Sequence, residues 1–222
     1  MDGTAYDRIA EWYDETFRPS LHAAEADALE RFLGRGAGRC LDLGCGTGAA
    51  APVLEALGWS VVGVDRSERL LDIARAKGYD VVAASADALP FGDASFDAAV
   101  SVWTHTDIDE FGAALSETAR VLWPAAPFVY VGGHPCFVGP HSRFVGAEGV
   151  PVLLPGYRRC ERYQDGPAIS PDGLRAKVGA VHLPLGPFLQ AFPDAGFRIE
   201  RFEELEGDQR EYPYIVALLC RR

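Results

Sequence analysis

Apolar residues along this chain alternate between short, mainly apolar runs and longer helical repeats. The short runs, each of a length that suits a buried strand, cover residues 40–43, 60–64, 80–84, 98–102 and 128–131. Other segments, placed between these runs, repeat apolar residues at helical spacing and cover residues 49–57, 68–77 and 107–122. Strands that alternate with helices predict an α/β protein with a parallel, doubly wound sheet and helices on both faces.

Both ends of the chain extend this pattern. Residues 5–17 and 20–34 predict two helices ahead of the first strand, the second capped by Ser20. Residues 197–205 and 212–220 predict two final strands, and the sequence EGDQRE between them suits a hairpin connection. We therefore expect a seven-stranded, mostly parallel sheet that ends in a C-terminal antiparallel hairpin.

The stretch after the fifth predicted strand breaks the alternation. Between residues 134 and 182, Pro and Gly recur every few positions and aromatic residues are interleaved. A long irregular segment in a compact domain is usually functional, and its aromatic content argues against disorder. We expect a single domain over residues 1–222, with residues 1–36 as a helical lid and residues 134–182 as an insertion that covers the substrate.

The sequence RCLDLGCGTG, residues 39–48, joins the first predicted strand to a helix through a glycine-rich turn. Glycine accepts backbone angles that other residues resist, and it lets a ligand approach the main chain. The amides at the start of the helix point toward such a ligand. Gly44, Gly46 and Ala49 also satisfy the loose dinucleotide-binding fingerprint, but that match alone is weak.

The LDLGCGTG segment resembles the first motif of the class I S-adenosylmethionine-dependent methyltransferases, in particular small-molecule enzymes of the ubiquinone and menaquinone type. LPF…FD, residues 89–97, and YDxIAxxYD near the N-terminus resemble further segments of that family. The resemblance implies a Rossmann-like fold, S-adenosyl-L-methionine as cofactor and S-adenosyl-L-homocysteine as product. It also implies a set of cofactor-binding residues: Tyr13, Asp42, Gly44, Cys45, Gly46, Asp65, Arg66, Asp87, Ala88 and Trp103.

Four of these residues have expected roles. Asp65 follows the second strand about 20 residues beyond the glycines, where an acid can accept both ribose hydroxyls. The resemblance implies that Asp87 accepts a hydrogen bond from the adenine amine and that the Ala88 amide faces the adenine ring. Tyr13 is expected to close over the cofactor.

The amino-acid composition limits the classes of partner that we expect the chain to bind. The formal net charge of −11 argues against nucleic acid, because phosphate contacts require basic surfaces. The chain has no apolar run near the roughly 20 residues of a membrane span, and its N-terminus is acidic. The five cysteines form no C-x-x-C pair, as is typical of a reducing compartment. We expect a cytoplasmic monomer or homodimer that acts on a small molecule, away from membranes.

The methyl acceptor is less defined by the sequence. We expect a catalytic base or orienting group among His134, His141 and His182, the last of which precedes a segment resembling the family's acceptor-pocket "H-x-x-L". The residues expected to bind the substrate are His105, Phe137, Phe144 and Tyr157. No metal is expected, because the spacing of the histidines and Cys136 matches no zinc signature.

Two alternatives stay open at this point. A nicotinamide-dependent oxidoreductase predicts a parallel sixth strand and a tyrosine–lysine pair, but the chain has no Y-x-x-x-K pattern suited to it. A protein that binds S-adenosylmethionine without catalysis predicts an intact cofactor motif and a blocked acceptor side.

Overall fold

A computed structural model describes residues 4–145, 149–166, 168–205 and 211–222. The strands among the described residues are β1 (Arg39–Leu43), β2 (Ser60–Asp65), β3 (Val81–Ala83), β4 (Ala98–Val102), β5 (Pro127–Gly133), β6 (Ser142–Val145), β7 (Val150–Leu153), β8 (Arg162–Tyr163), β9 (Ala180–Val181), β10 (Arg198–Leu205) and β11 (Ile215–Arg221). Seven of them form one sheet, in the order β10-β11-β5-β4-β1-β2-β3.

The strand directions confirm the predicted fold class. Strands β1 to β5 pair in parallel, whereas β11 runs antiparallel to both β5 and β10. Central strands such as β4 are buried on both faces, which explains their continuous apolar sequence. The parallel sixth strand predicted for a nicotinamide enzyme is replaced by this antiparallel hairpin. Its predicted EGDQRE connection lies largely outside the described residues, at positions 206–210.

Helices cover both faces of the sheet. The α-helices among the described residues are α1 (Ala10–Trp12), α2 (Ala23–Leu33), α3 (Ala51–Ala56), α4 (Glu68–Ala76), α5 (Phe111–Val121), α6 (Leu174–Val178) and α7 (Leu185–Asp194). One apolar core lies between the sheet and helices α5 and α7 and includes Leu115, Phe188 and Phe192. The other includes Leu29 of α2 and Leu54 of α3. The two layers fix the sheet and leave the carboxyl ends of its parallel strands to carry the site.

Three helix predictions need correction. Residues 5–17 form a 3₁₀ turn (Ala5–Arg8), α1 and a π turn (Tyr13–Phe17) rather than one helix. Helix α2 begins at Ala23 with His22 as its N-cap, not at Ser20. Helix α5 begins at Phe111 rather than near residue 107, because the residues before it form a turn whose polar side chains make long-range contacts.

The inserted segment holds two small antiparallel pairs, β6 with β7 and β8 with β9, and helix α6. The backbone amide of Val181 donates to the Thr106 carbonyl at 2.6 Å, which joins this segment to the turn after β4. Within the described residues, every helix is too short or too polar to cross a bilayer.

Candidate functional site

A cavity of about 980 Å³ opens at the carboxyl ends of β1, β2 and β4. The ends of parallel strands are where doubly wound sheets place their ligands. We call the lining residues Gly44, Gly46, Asp65, Arg66 and Asp87 the strand-end half. We call the lining residues that lie in or against the inserted segment the insertion half: Trp103, Val138, Ile169, Leu174, Val178 and Tyr214.

The glycine turn forms the floor of the strand-end half. Gly44 and Gly46 have φ angles of 72° and 54°, in the left-handed region that favours glycine. A Cβ atom on Gly44 would lie 2.3 Å from Cγ2 of Thr104, so the turn has no room for a side chain there. The amides of Gly44 and Cys45 donate to the Val64 carbonyl, which holds the turn against β2.

Asp65 ends β2 and ties the turn to helix α4. Its two carboxylate oxygens accept hydrogen bonds from the backbone amides of Gly46, at 3.0 Å, and Ser67, at 2.9 Å. Burial raises the pKa of Asp65 above its ordinary value, although these two amide bonds oppose that rise. The carboxylate is thereby fixed at the cavity wall, where it can accept further hydrogen bonds from a ligand's hydroxyl groups.

Asp42 lies behind the turn and is only 2% exposed. Burial, and then the negative charge of Asp65, raise the pKa of Asp42 to about 7, while the nearby Arg18 guanidinium opposes this rise. Two neighbouring carboxyl groups in a desolvated position favour a cationic ligand, because such a ligand stabilises their ionised forms.

The N-terminal segment covers the cavity through its aromatic residues. The rings of Tyr6 and Tyr13 meet edge to face with centroids 5.4 Å apart, and both residues line the cavity. Burial raises the pKa of Tyr13 to about 12, so its hydroxyl stays protonated at neutral pH. Its Cε1 atom would lie 3.8 Å from a Cβ on Gly46, which places Tyr13 directly over the glycine turn.

Asp107 joins the N-terminal segment to the insertion. Its Oδ1 atom accepts hydrogen bonds from the Tyr6 hydroxyl, at 3.0 Å, and from Arg175 of α6, at 2.9 Å. Arg175 also donates to Oγ1 of Thr106 at 2.8 Å. This junction lies on the cavity wall, so the lid and the insertion meet at one carboxylate.

Trp103 occupies the point where β4 meets the insertion. Its φ angle of 62° is unusual for a bulky residue and indicates a backbone held in place by its surroundings. The indole Nε1 donates to Glu25, a carboxylate with 0% exposure that also pairs with Arg18 at 2.8 Å. The Arg18 guanidinium lies 6.0 Å from the centroid of the indole ring.

Of four further predicted cofactor-binding residues, two line the cavity and two, Cys45 and Ala88, lie outside its lining. Asp87 and Arg66 line the cavity and are exposed. The Ala88 amide donates to the Ser85 carbonyl at 3.1 Å, so that amide is already engaged within a turn and does not face a ligand. The Cys45 thiol is buried beneath the turn, where its Sγ atom would lie 2.6 Å from a Cβ on Gly63, and it packs rather than binds.

The four histidines named from the sequence, all within the described residues, lie outside the cavity lining. His134 pairs with Glu204 at 2.8 Å, and His141 and His182 lie against each other with ring centroids 4.6 Å apart. His105 is buried and bonded to Tyr130, and burial lowers the pKa of His105 to about 3. Packing or internal hydrogen bonds engage each ring, so the geometry of the described residues adds no support for a base or substrate contact among them. The remaining histidine, His22, does line the cavity.

The three aromatic residues expected to bind the substrate also lie outside the lining that the described residues form. Phe137 packs against His134 and Tyr212, and Phe144 of β6 packs against Tyr214. The Tyr157 hydroxyl accepts the Leu185 amide at 3.0 Å and anchors the insertion to α7. These residues support the wall from behind rather than forming it.

Sequence reasoning missed the charged residues that organise the insertion half. Glu25, Arg18 and Arg175 lie far from the glycine turn in sequence, and their pairing depends on the folded arrangement. Among these residues, only Glu25 has a local sequence signal, because acids are favoured in the first turn of a helix. That pattern is typical of a solvent-exposed residue, so it does not indicate that Glu25 is buried.

Comparisons with known proteins identify similar domains and folds. Residues 41–130 match a family described as a methyltransferase domain. A demethylmenaquinone methyltransferase of Tropheryma whipplei (strain Twist) is 35% identical over 151 residues. The match covers 62% of each chain, so it spans less than two thirds of the length of this curated relative. An S-adenosylmethionine-dependent methyltransferase structure from Mesorhizobium loti has a TM-score of 0.74 at 27% identity, covering 90% of this chain and 98% of that one. A [4+2]-cyclase shares the fold with a TM-score of 0.64 at 18% identity.

Proposed function

Starting from a class I S-adenosylmethionine-dependent methyltransferase domain, we propose that the whole chain catalyses methyl transfer to a small-molecule acceptor. The observation that carries this proposal is the strand-end half of the cavity, a left-handed glycine turn with Asp65 at its wall, together with Asp42 buried behind the turn. S-adenosylmethionine is the cofactor of this family, and its sulfonium supplies an activated methyl group.

The residues present fit that cofactor. The Gly44–Thr104 contact keeps the floor free of side chains, so a ligand can lie against the main chain. Asp65 is fixed by two backbone amides at a position suited to accepting ribose hydroxyls. Asp42 and Asp65 together favour a ligand with a positive charge, whereas they would repel the pyrophosphate of a dinucleotide.

The chain's own contribution to the transfer is positioning and exclusion of water. Tyr13 covers the glycine turn, and the Asp107 junction holds the lid and the insertion together. An acceptor that carries a proton needs a base, and His22 is the histidine placed to reach one, since it lines the cavity at the N-cap of α2.

The expected acceptor is a small molecule. The relatives named above include a demethylmenaquinone methyltransferase, whose name describes a small-molecule acceptor. The cavity is at the upper end of the roughly 300–1,000 Å³ range of ligand sites, which leaves space beyond the strand-end half.

Incubation with S-adenosylmethionine carrying a labelled methyl group, together with a panel of hydroxyl, amine and carbon acceptors, tests the proposal. Labelled product that depends on both protein and acceptor supports it. Binding of S-adenosylhomocysteine without labelled product from any member of the panel would favour the non-catalytic alternative. The test includes this alternative because the fold alone does not determine the function.

A further inference from the structure

The positive charges of the cavity wall are already neutralised. Arg18 pairs with Glu25 at 2.8 Å, Arg162 with Asp109 at 2.8 Å, and Arg175 with Asp107 at 2.9 Å. An anionic acceptor would have to displace one of these carboxylates to gain a guanidinium partner. Arg66, the remaining arginine of the described lining, belongs to the strand-end half.

The insertion half presents mostly apolar atoms. Val138, Ile169, Leu174 and Val178 line it together with the rings of Trp103 and Tyr214. The two rings are tilted by 45° with centroids 5.5 Å apart. A surface of this kind favours an apolar molecule, because burying a charged or unpaired polar group against it costs free energy.

Trp103 is the most constrained residue of this surface. Its left-handed backbone, its Nε1 bond to Glu25 and its contact with Tyr214 fix the indole from three sides. Beneath it, a Cβ on Gly133 would lie 3.0 Å from Cζ3 of Trp103 and 3.1 Å from Cγ1 of Val138. The glycine therefore lets the indole lie close against the end of β5.

Glu25 provides the polar anchor for this arrangement. Its carboxylate is fully buried and accepts three donors: the Arg18 guanidinium, the His22 backbone amide at 2.8 Å, and the Trp103 indole. A buried carboxylate that holds an indole by its only donor fixes the direction in which the ring faces.

We propose that the insertion half binds a neutral, largely apolar acceptor against the Trp103 indole, and that Glu25 is the positioning residue that holds this indole. The inference rests on the proposed function, since it names the acceptor class of the same site. It states which property of the acceptor the cavity selects: an uncharged ring or chain rather than a carboxylate, phosphate or ammonium group.

Three probes with one shared ring system test the charge preference. Calorimetric titration of 2-naphthol, 6-hydroxy-2-naphthoate and 2-naphthylmethylammonium into the protein saturated with S-adenosylhomocysteine compares a neutral, an anionic and a cationic molecule. We expect 2-naphthol to bind at least about tenfold more tightly than either charged probe, because three lining guanidinium groups are already paired and the six residues of the insertion half offer no charged side chain to either probe.

Variants test the role of the indole and its anchor. Trp103→Ala should weaken 2-naphthol binding by about tenfold, since it removes an aromatic contact surface. Gly133→Ala should weaken it by roughly threefold by pushing Trp103 toward the cavity. Trp103→Phe keeps a flat face and should restore most of the affinity. Trp123→Ala removes a 52% exposed indole outside the cavity lining and serves as the control.

Glu25→Gln tests the positioning role through a double-mutant comparison. It should weaken 2-naphthol binding in the wild-type background but change it much less in the Trp103→Phe background, which has no indole donor to hold. Equal losses in both backgrounds would show that Glu25 acts only on general stability, and would overturn its assigned role.

The outcomes separate this inference from the proposed function. If S-adenosylhomocysteine fails to bind, the proposed function itself fails. If it binds and a charged probe matches or exceeds 2-naphthol, or no probe binds, the acceptor class is wrong while the cofactor assignment stands. If 2-naphthol binds selectively but Trp103→Ala leaves its affinity unchanged while the protein stays folded, the indole is not the contact surface.

Discussion

The strand-end half and the insertion half of the cavity are built in different ways. In the strand-end half, residues close in sequence make the contacts: Gly44, Gly46 and Asp65 lie within about 20 positions and meet through backbone hydrogen bonds. In the insertion half, side chains from distant segments pair with each other, as Arg175 does with Asp107 across 68 positions. The first half is specified by a motif, whereas the second depends on the whole fold.

The difference has a chemical consequence. The strand-end half combines backbone geometry with the Asp65 carboxylate, and Asp42 lies buried behind it, so this side favours a cationic ligand with hydroxyl groups. The insertion half has its charges paired and its apolar atoms exposed to the cavity. One cavity thus offers a charge-selective side beside an apolar side, the arrangement that a charged cofactor and an uncharged acceptor would need.

A substitution of Asp42 tests whether buried carboxyl groups give the cavity its charge-selective side, and we expect it to have the largest effect. Its pKa is about 7 in the folded chain, against 3.8 for an ordinary exposed aspartate. The unfolded chain therefore loses this proton first, so the group's contribution to stability is greatest below about pH 4 and falls as pH rises to about 7. Asp42→Asn does not titrate, and its stability relative to wild type should rise over that window by up to about 4 kcal/mol.

Urea unfolding of the ligand-free wild type and Asp42→Asn at several pH values between 4 and 8 measures this difference. A stability difference that stays constant across the window would show that Asp42 is not perturbed by burial and by Asp65, and would weaken the case for a cation-selective half.

Asp65 tests the same half through its hydrogen bonds. Asp65→Ala should lower the affinity for S-adenosylhomocysteine by about 100-fold, since it removes charge-assisted acceptors for the ligand and two anchors of the glycine turn. Calorimetric titration gives the affinity, and Asp72→Ala, on the exposed face of α4, is the matched control. Unchanged affinity in Asp65→Ala would remove this carboxylate from the binding site.

A substitution of Asp107 tests the junction between the N-terminal lid and the insertion, and we expect an intermediate effect. Asp107→Asn weakens the contacts to Tyr6 and Arg175 at once, and we expect a loss of about tenfold in kcat/KM for the acceptor. Steady-state kinetics with saturating S-adenosylmethionine measures it. Asp109→Asn, which loosens only the more exposed pair with Arg162, should change the same ratio far less. Similar losses in both variants would show that the junction has no special role.

Substitutions of the histidines are expected to have the smallest effects on the rate, and they test which histidine acts as the base. His134→Gln, His141→Gln and His182→Gln should keep kcat within about threefold of wild type, because these rings lie outside the cavity lining. His22→Gln should lower kcat more than any of them if the acceptor must lose a proton. Rate measurements on the four variants, each checked for folding by thermal unfolding, decide between these positions.

Much of the sheet and the strand-end half could be predicted from the sequence. The glycine turn and the strands around it follow from local preferences, and β4 matches its predicted bounds. The role of Asp65 could be predicted from its distance to the glycines along the sequence. These features depend on backbone conformation and strand burial, which short sequence patterns record directly.

The insertion half could not be predicted in the same way. His141 and His182 are typical catalytic residue types, but they pack against each other instead of facing the cavity. Glu25 resembles a surface residue of an amphipathic helix, yet it is buried because Arg18 and Trp103 fold onto it. Such pairings arise from tertiary contacts between distant segments, and no local pattern encodes them.

The measurement that tests the central claim most directly is calorimetric titration of the purified protein with S-adenosylhomocysteine, NADH and NADPH in parallel. The account predicts micromolar binding of S-adenosylhomocysteine and no binding of either nicotinamide cofactor, because Asp42 and Asp65 suit the ribose hydroxyls and the α-ammonium group of that ligand and oppose a pyrophosphate at the glycine turn. Binding of NADH or NADPH without S-adenosylhomocysteine would contradict it and would make the turn a dinucleotide site.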